Sequence, residues 1–197
     1  MTMTVENYVK RYADEMRSVI SEPFLVDGMA QMVPVLLAAR DQGRTLFFFG
    51  NGGSASTASH FVVDIGKATI RGDQRRFRCI ALVDNVESVT AWANDSEYSK
   101  VFSEQLATLG QSGDVAVAIT GSGNSPNVLV AVEVAKKMGI HTIGLTGMGG
   151  GKLTAKVDIP VVVPSNSMQH IEDVHLLICH LLTAYFRDEA PAAPAHR

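Results

Sequence analysis

The chain has 197 residues, 46% of them hydrophobic and 19% charged, with a formal net charge of -3 and a pI near 6.0. That length suits one domain with a substantial core, and the mild acidity excludes an extended nucleic-acid surface. The only cysteines, Cys79 and Cys179, lie far apart in apolar stretches, which predicts reduced, buried thiols in a cytoplasmic protein.

The first twenty residues are polar and amphipathic and lack the apolar centre of an export signal. Tyr8, Val9, Tyr12, Met16, Val19 and Ile20 recur at helical spacing and predict an opening helix. A second helix is predicted over 24–41, with Met29, Met32, Val33, Leu36 and Leu37 on its apolar side and Gly43 ending it. Strands then alternate with helices. The strands are expected at 45–49, 78–82, 115–119, 142–145 and 159–163, and the helices near 54–67, 99–109, 126–138 and 153–155. A last helix is expected from about 168 to 186. Short apolar strands separated by helices predict an α/β fold, a three-layer α/β/α sandwich on a five-stranded parallel sheet.

The two helices before the first strand exceed what such a sandwich needs, so their apolar stripes are expected to meet another subunit. Residues 1–187 read as a single domain, with 1–42 as its N-terminal helices and 188–197 as a disordered tail. The apolar stretch 175–186 contains two histidines and is too short to span a bilayer, so no membrane partner is expected.

Two loops carry the chemistry. Gly50-Asn51-Gly52-Gly53-Ser54-Ala55 joins an apolar strand to a helix, so glycine backbone, a hydroxyl and free amides meet at the positive end of that helix. The second loop, Thr120-Gly121-Ser122-Gly123-Asn124-Ser125-Pro126-Asn127, offers three hydroxyls around a glycine turn, with proline in the first turn of the next helix. Both lie at strand carboxyl ends, where open α/β sheets bind ligands. A phosphorylated small molecule is the expected ligand. Gly147-Met148-Gly149-Gly150-Gly151-Lys152 fails as a P-loop, because Leu153 stands where Ser or Thr is required. The first loop lacks the third glycine of a dinucleotide fingerprint.

His60 and Asp64 share one face of the helix after the first loop. Such a pair holds a divalent metal, works as acid and base, or simply supports the helix. Glu172, His175 and His180 place charged and imidazole groups inside an otherwise apolar final helix. Arg71, Arg75, Arg76 and Arg78 form the one basic cluster, read as a solvated loop or as a phosphate or inter-subunit contact.

Together these motifs resemble the SIS (sugar isomerase) fold, a flavodoxin-like arrangement, and within it the phosphoheptose isomerases. The resemblance rests on the loop 50–55 followed by His60, on Thr90-Ala91-Trp92-Ala93-Asn94-Asp95, on Gly121-Ser122-Gly123-Asn124-Ser125-Pro126-Asn127, and on the helix 171–180. It implies that Ser54, Thr120, Ser122 and Ser125 hold a sugar phosphate, with Gly52, Gly53 and Gly121 in the loops, and that Asn51, Asp95 and Glu172 contact the substrate. It implies a metal centre of His60, Asp64, Glu172 and His180 holding one zinc ion per subunit, with Asp64 as base and His180 as partner acid. Two of those four depart from the family, which has Glu where Asp64 stands and Gln where Glu172 stands. The family's arginine on the first of these helices has no clear equivalent; Lys67 is the nearest residue.

The implied reaction converts sedoheptulose 7-phosphate into D-glycero-D-manno-heptose 7-phosphate through an enediol, at the start of nucleotide-heptose synthesis for surface polysaccharide. A homotetramer with sites near subunit interfaces is expected. The alternatives are an isomerase of another phosphosugar and a non-catalytic SIS module that senses sugar phosphates or attends the replication initiator. Glu172 and His180 lie eight residues apart, about 12 Å along a continuous helix, which strains a shared metal.

Overall fold

The strand β1 (Thr45–Gly50) has no polar side chain after its first residue, and all six residues are buried. A strand of that kind needs cover on both faces. The computed structural model, which describes residues 3–189, provides it. Leu46 and Phe48 enter one core with the buried faces of α2 (Phe24–Asp41), α3 (Gly53–Val63) and α7 (Met168–Asp188). Phe47 and Phe49 enter a second core with α5 (Ser103–Leu109) and α6 (Pro126–Lys137).

The other strands are β2 (Arg78–Ala81), β3 (Val115–Thr120), β4 (His141–Thr146) and β5 (Ile159–Val162). All pairs are parallel, in the order β2-β1-β3-β4-β5. This is the flavodoxin-like order, whose topological switch point lies between β1 and β3. From there the chain runs into α3 on one face and α6 on the other, so the two loops diverge and leave a crevice. The predicted three-layer sandwich and its five parallel strands are observed, with strand ends shifted by a residue at most.

Four stretches differ from expectation. Residues 86–95, for which the sequence predicts no helix, form α4 (Val86–Asp95), whose cap Asn85 accepts a bond from the Ser88 amide. No residue of α4 is fully buried, although Val89 and Ala93 pack against the second core. The predicted helix 153–155 is a turn instead; four glycines between 147 and 151 make helix costly there, although Leu153 is fully buried. The predicted helix 99–109 splits into a 3₁₀ turn at Tyr98–Lys100 followed by α5. The helix predicted over 54–67 is α3 continued by a π-helical turn at Asp64–Ala68.

The helix α1 (Val5–Ile20) is capped by Thr4 and buries none of its residues completely. Met16 and Val19 pack against the α2–α3–α7 core, while Val5, Tyr8 and Val9 remain exposed. Both cysteines are free, and burial pushes their thiols up to about 12, so neither is a thiolate near neutral pH. Of the predicted tail, Asp188 closes α7, and 190–197 lie outside the described residues. Among the described residues no single helix is long and apolar enough to cross a bilayer; α1 and α2 pass only as a pair bent by 53°.

The last helix is fastened to the sheet by His175, which is almost fully buried. Its Nε2 lies 3.3 Å from the Thr146 carbonyl oxygen, so the proton sits on Nε2 and donates to the end of β4. Burial lowers the His175 pKa to about 4. The folded protein therefore keeps this ring neutral while the unfolded chain protonates near 6.5. Stability is full above about pH 6.5 and falls as pH drops toward 4. We expect urea unfolding to show about 2 kcal/mol less stability at pH 5 than at pH 7 from this residue alone. His175→Gln should flatten that dependence; an unchanged pH slope would show that His175 is not its source.

Candidate active site at the switch point

The first loop leaves β1 at Gly50 and enters α3 through Gly52, whose φ of 55° and ψ of -123° suit only glycine. Ser54 in the first turn of α3 is 5% exposed, and Thr120 at the end of β3 is 4% exposed. They face each other across a cavity of about 140 Å³, walled also by Asn51, Gly121, Ser122, Ser125 and Glu172. The Thr120 hydroxyl lies 3.0 Å from that of Ser125 and 3.5 Å from that of Ser122. The Asn124 amide donates to Ser122 Oγ at 3.2 Å. Hydroxyls gathered at a helix N-terminus bind an oxyanion through many directed donors. The size suits one phosphate group.

The two loops are tied together by an amide pair. Asn51 Nδ2 donates to Asn127 Oδ1 at 2.9 Å, and Asn127 Nδ2 donates back to Asn51 Oδ1 at 2.8 Å. Tyr98 donates its hydroxyl to the same Asn51 oxygen at 3.0 Å, and the Val128 amide donates to Asn127 Oδ1 at 3.0 Å. The glycine run that fails as a P-loop supports the second loop from behind. The Lys152 amide donates to Asn124 Oδ1 at 3.1 Å and the Leu153 amide to the Gly123 carbonyl at 3.0 Å.

Farther along α3 a second group assembles. His60 Nε2 lies 3.3 Å from Asp64 Oδ2, His180 Nε2 lies 3.9 Å from the same oxygen, and the two Nε2 atoms are 3.2 Å apart. Zinc with bonds of 2.0–2.1 Å in a tetrahedron sets its ligand atoms about 3.3 Å apart. Two of the three separations match that spacing and the third is about 0.6 Å longer, so two imidazoles and a carboxylate are gathered as such an ion needs. The three side chains are part-exposed, which leaves a ligand position open toward solvent. Asp64 begins the π-helical turn, a distortion that recurs at functional sites.

The expected residues divide accordingly. Asn51, Ser54, Thr120, Gly121, Ser122, Ser125 and Glu172 wall one cavity, with Gly52 and Gly53 in its loop, and His60, Asp64 and His180 form a possible metal triad. Glu172, expected both as a metal ligand and as a substrate contact, lies on the cavity wall with its carboxylate against Gly53, where a Cβ would sit 2.5 Å from Oε2. Within one chain it is not among the three side chains that gather at His60; residues eight apart on a helix are separated by a rise of about 12 Å. Asp95 is exposed at the end of α4, where Asn94 donates to it at 2.8 Å, and it is not on the cavity wall. Lys67 is exposed and belongs to neither group. The basic residues Arg75, Arg76 and Arg78 line a separate pocket at the opposite end of the sheet, beside Gly43.

Sequence reasoning gives Asn127 and Tyr98 no role. A polar residue at the start of an amphipathic helix, just after Pro126, is a usable signal for Asn127. Nothing local pairs Tyr98 with Asn51, 47 positions away. Asn127 is 2% exposed, so Asn127→Ala strands the amide of Asn51 and the Val128 N–H. It should cost about 2 kcal/mol in urea unfolding; a loss below about 0.5 kcal/mol would mean that the pair does not join the loops.

Comparison with known proteins places this geometry. The family model described as SIS domain matches residues 7–147. Phosphoheptose isomerase of Paramagnetospirillum magneticum is 39% identical over 176 residues, covering 89% of this chain and 88% of that protein. The structure of phosphoheptose isomerase GmhA from Neisseria gonorrhoeae superposes with a TM-score of 0.86 at 31% identity, covering 93% of this chain and 98% of that one. A phosphoheptose isomerase from Francisella tularensis gives 0.85 at 31% identity, with the same coverage. The chain belongs to the SIS-domain family, among the phosphoheptose isomerases.

Proposed function

We propose that the protein isomerises sedoheptulose 7-phosphate to D-glycero-D-manno-heptose 7-phosphate through an enediol, as a cytoplasmic homo-oligomer that supplies heptose for surface polysaccharide. One observation carries this reading: α3 opens at an oxyanion cavity and two turns on presents His60, which meets Asp64 of the following π-helical turn and His180 of α7 in a triad. From Ser54 to His60 the helix rises about 9 Å. An extended seven-carbon chain with a terminal phosphate reaches about 10 Å from phosphorus to C1. The phosphate end and the reacting end of one such chain therefore meet the two groups together.

In this reading Ser54, Thr120, Ser122 and Ser125 hold the phosphate and fix the sugar's register. Asp64 takes a proton from C1 of the ketose while His180 gives one to the carbonyl oxygen at C2, forming the enediol. The O1 proton then leaves and the carbon-bound proton is returned to C2, which yields the aldose. Asp64 is one methylene shorter than glutamate, so the sugar must approach α3 closely. His60, Asp64 and His180 would hold a zinc ion, one per subunit, and when bound it would polarise the substrate oxygens in place of the His180 proton. The uncovered Val5, Tyr8 and Val9 of α1 support assembly with further copies, a tetramer by family resemblance.

Incubation with sedoheptulose 7-phosphate, with and without zinc, should produce the aldose signal by NMR. Asp64→Asn and His180→Ala should each lower kcat by at least about 10²-fold. Tight sugar-phosphate binding with no turnover by the unaltered protein would instead make it a sensor. Full activity in both variants would remove Asp64 and His180 from the chemistry.

A further inference from the structure

Arg71, Arg75, Arg76 and Arg78 crowd into one short segment of a chain whose formal net charge is -3, and the switch-point site uses none of them. Phe77 fixes how they are displayed. It is 6% exposed, joins the core shared by α2, α3 and α7, and packs its ring 4.9 Å from that of Phe186. In an extended chain successive side chains point to opposite sides. With Phe77 turned inward, Arg76 and Arg78 are turned outward, and both are exposed. The segment cannot slide without drawing Phe77 out of the core.

Arg75, Arg76 and Arg78 line a cavity of about 700 Å³ where β1 and β2 begin, about five times the 140 Å³ of the switch-point cavity. Asp73 is the only acid on that wall, which leaves it a charge of plus two. Arg75 lies over Gly43 at the end of α2 and is engaged within the chain, where the carbonyl end of a helix favours a cation. The nearby ion pairs, Arg40 with Asp41 and Arg187 with Asp188, include neither Arg76 nor Arg78. Two like-charged groups therefore converge on one open volume beside a third, at a Coulomb cost that a bound polyanion removes. The guanidinium fork pairs bidentately with phosphate oxygens. Two such forks on one cavity suit two linked phosphates, whose charge also matches the wall.

We propose that this cavity is a second ligand site, at the opposite end of the sheet from the switch point, that binds a diphosphate group through Arg76 and Arg78 with Arg75 behind them. The ligand is free pyrophosphate or a nucleoside diphosphate, which share that group. Such a site does not depend on isomerisation at the other end of the sheet.

Calorimetric titration of the full chain with inorganic pyrophosphate, orthophosphate and ADP in separate runs tests this, in low-salt buffer where exposed charges are least screened. Pyrophosphate should bind at least about tenfold more tightly than orthophosphate, because two phosphates engage two forks. In the double variant Arg76→Ala with Arg78→Ala, pyrophosphate affinity should fall at least about tenfold. Arg76→Lys with Arg78→Lys keeps the charge and loses the forks, so affinity should fall about threefold. Ser125→Ala, at the distant switch point, should leave pyrophosphate affinity within about twofold of the unaltered protein. Both arginines are exposed, and an unchanged urea midpoint in the variants should show that they fold. ADP binding as tight as that of pyrophosphate identifies a nucleotide as the ligand; pyrophosphate binding without ADP binding identifies the free anion. Unchanged pyrophosphate affinity in the double alanine variant would overturn the proposal. So would a loss confined to Ser125→Ala, or equal affinity for pyrophosphate and orthophosphate.

Discussion

Two parallel strands, β1 and β3, lie side by side although β2 separates them in sequence, and their following helices leave on opposite faces of the sheet. Because the helices diverge, their N-terminal turns cannot close over the strand ends, and polar backbone is left facing a crevice. The candidate active site is arranged around that gap. The apolar alternation of β1 decides it, since Leu46 and Phe48 claim one layer while Phe47 and Phe49 claim the other. Gly50 ends the strand, where any Cβ would lie 2.6 Å from the Ile119 carbonyl oxygen. The close pairing of β1 with β3 thus also sets the distance between the two loops. Asn51 and Asn127 then hold that distance with a reciprocal amide pair.

The second half of the site depends on α3 and α7 lying against each other. Glu172 meets Gly53 near the start of both helices, and His180 meets His60 farther along. Two helices in that register behave as a pair of rulers, so the separation of anion cavity and triad is a property of helix rise and not of loop conformation. His175 fixes one ruler to the sheet through the Thr146 carbonyl. A functional site built on regular elements in this way keeps its geometry better than one carried on loops.

Much of this is legible in the sequence because buried parallel strands and glycine-rich turns leave strong local signals. The strands near 45–49 and 115–119 announce themselves as unbroken apolar runs, and the loops after them by glycine and hydroxyl residues. Topology then follows from alternation of strand and helix. The failures have a different origin. The helix α4 buries no residue fully and touches the core through Val89 and Ala93, a short stripe in a ten-residue segment, and 153–155 imitates a helix only because Leu153 and Val157 both enter the core from a turn. The π-helical turn at Asp64 leaves no compositional trace. Family resemblance gives Glu172 both to the metal residues and to the substrate contacts; within the chain its carboxylate lies at Gly53 on the cavity wall, a placement that spacing along α7 alone does not reveal.

The division of labour along α3 has an energetic consequence. In the proposed reading, contacts to the phosphate would lie about two turns from the reacting carbons and would not change as C1 and C2 exchange a proton. They hold ground state and transition state alike, and binding of that kind lowers KM without raising kcat. In the same reading acceleration would come from the triad, where charge would develop on the substrate oxygens beside two imidazoles and a carboxylate. A phosphate cavity made of hydroxyls and backbone, with a carboxylate on its wall, limits how tightly that uniform part can bind. Such restraint suits an isomerase whose substrate and product carry the same phosphate: a stronger grip on that group would slow product release as surely as it would hasten capture.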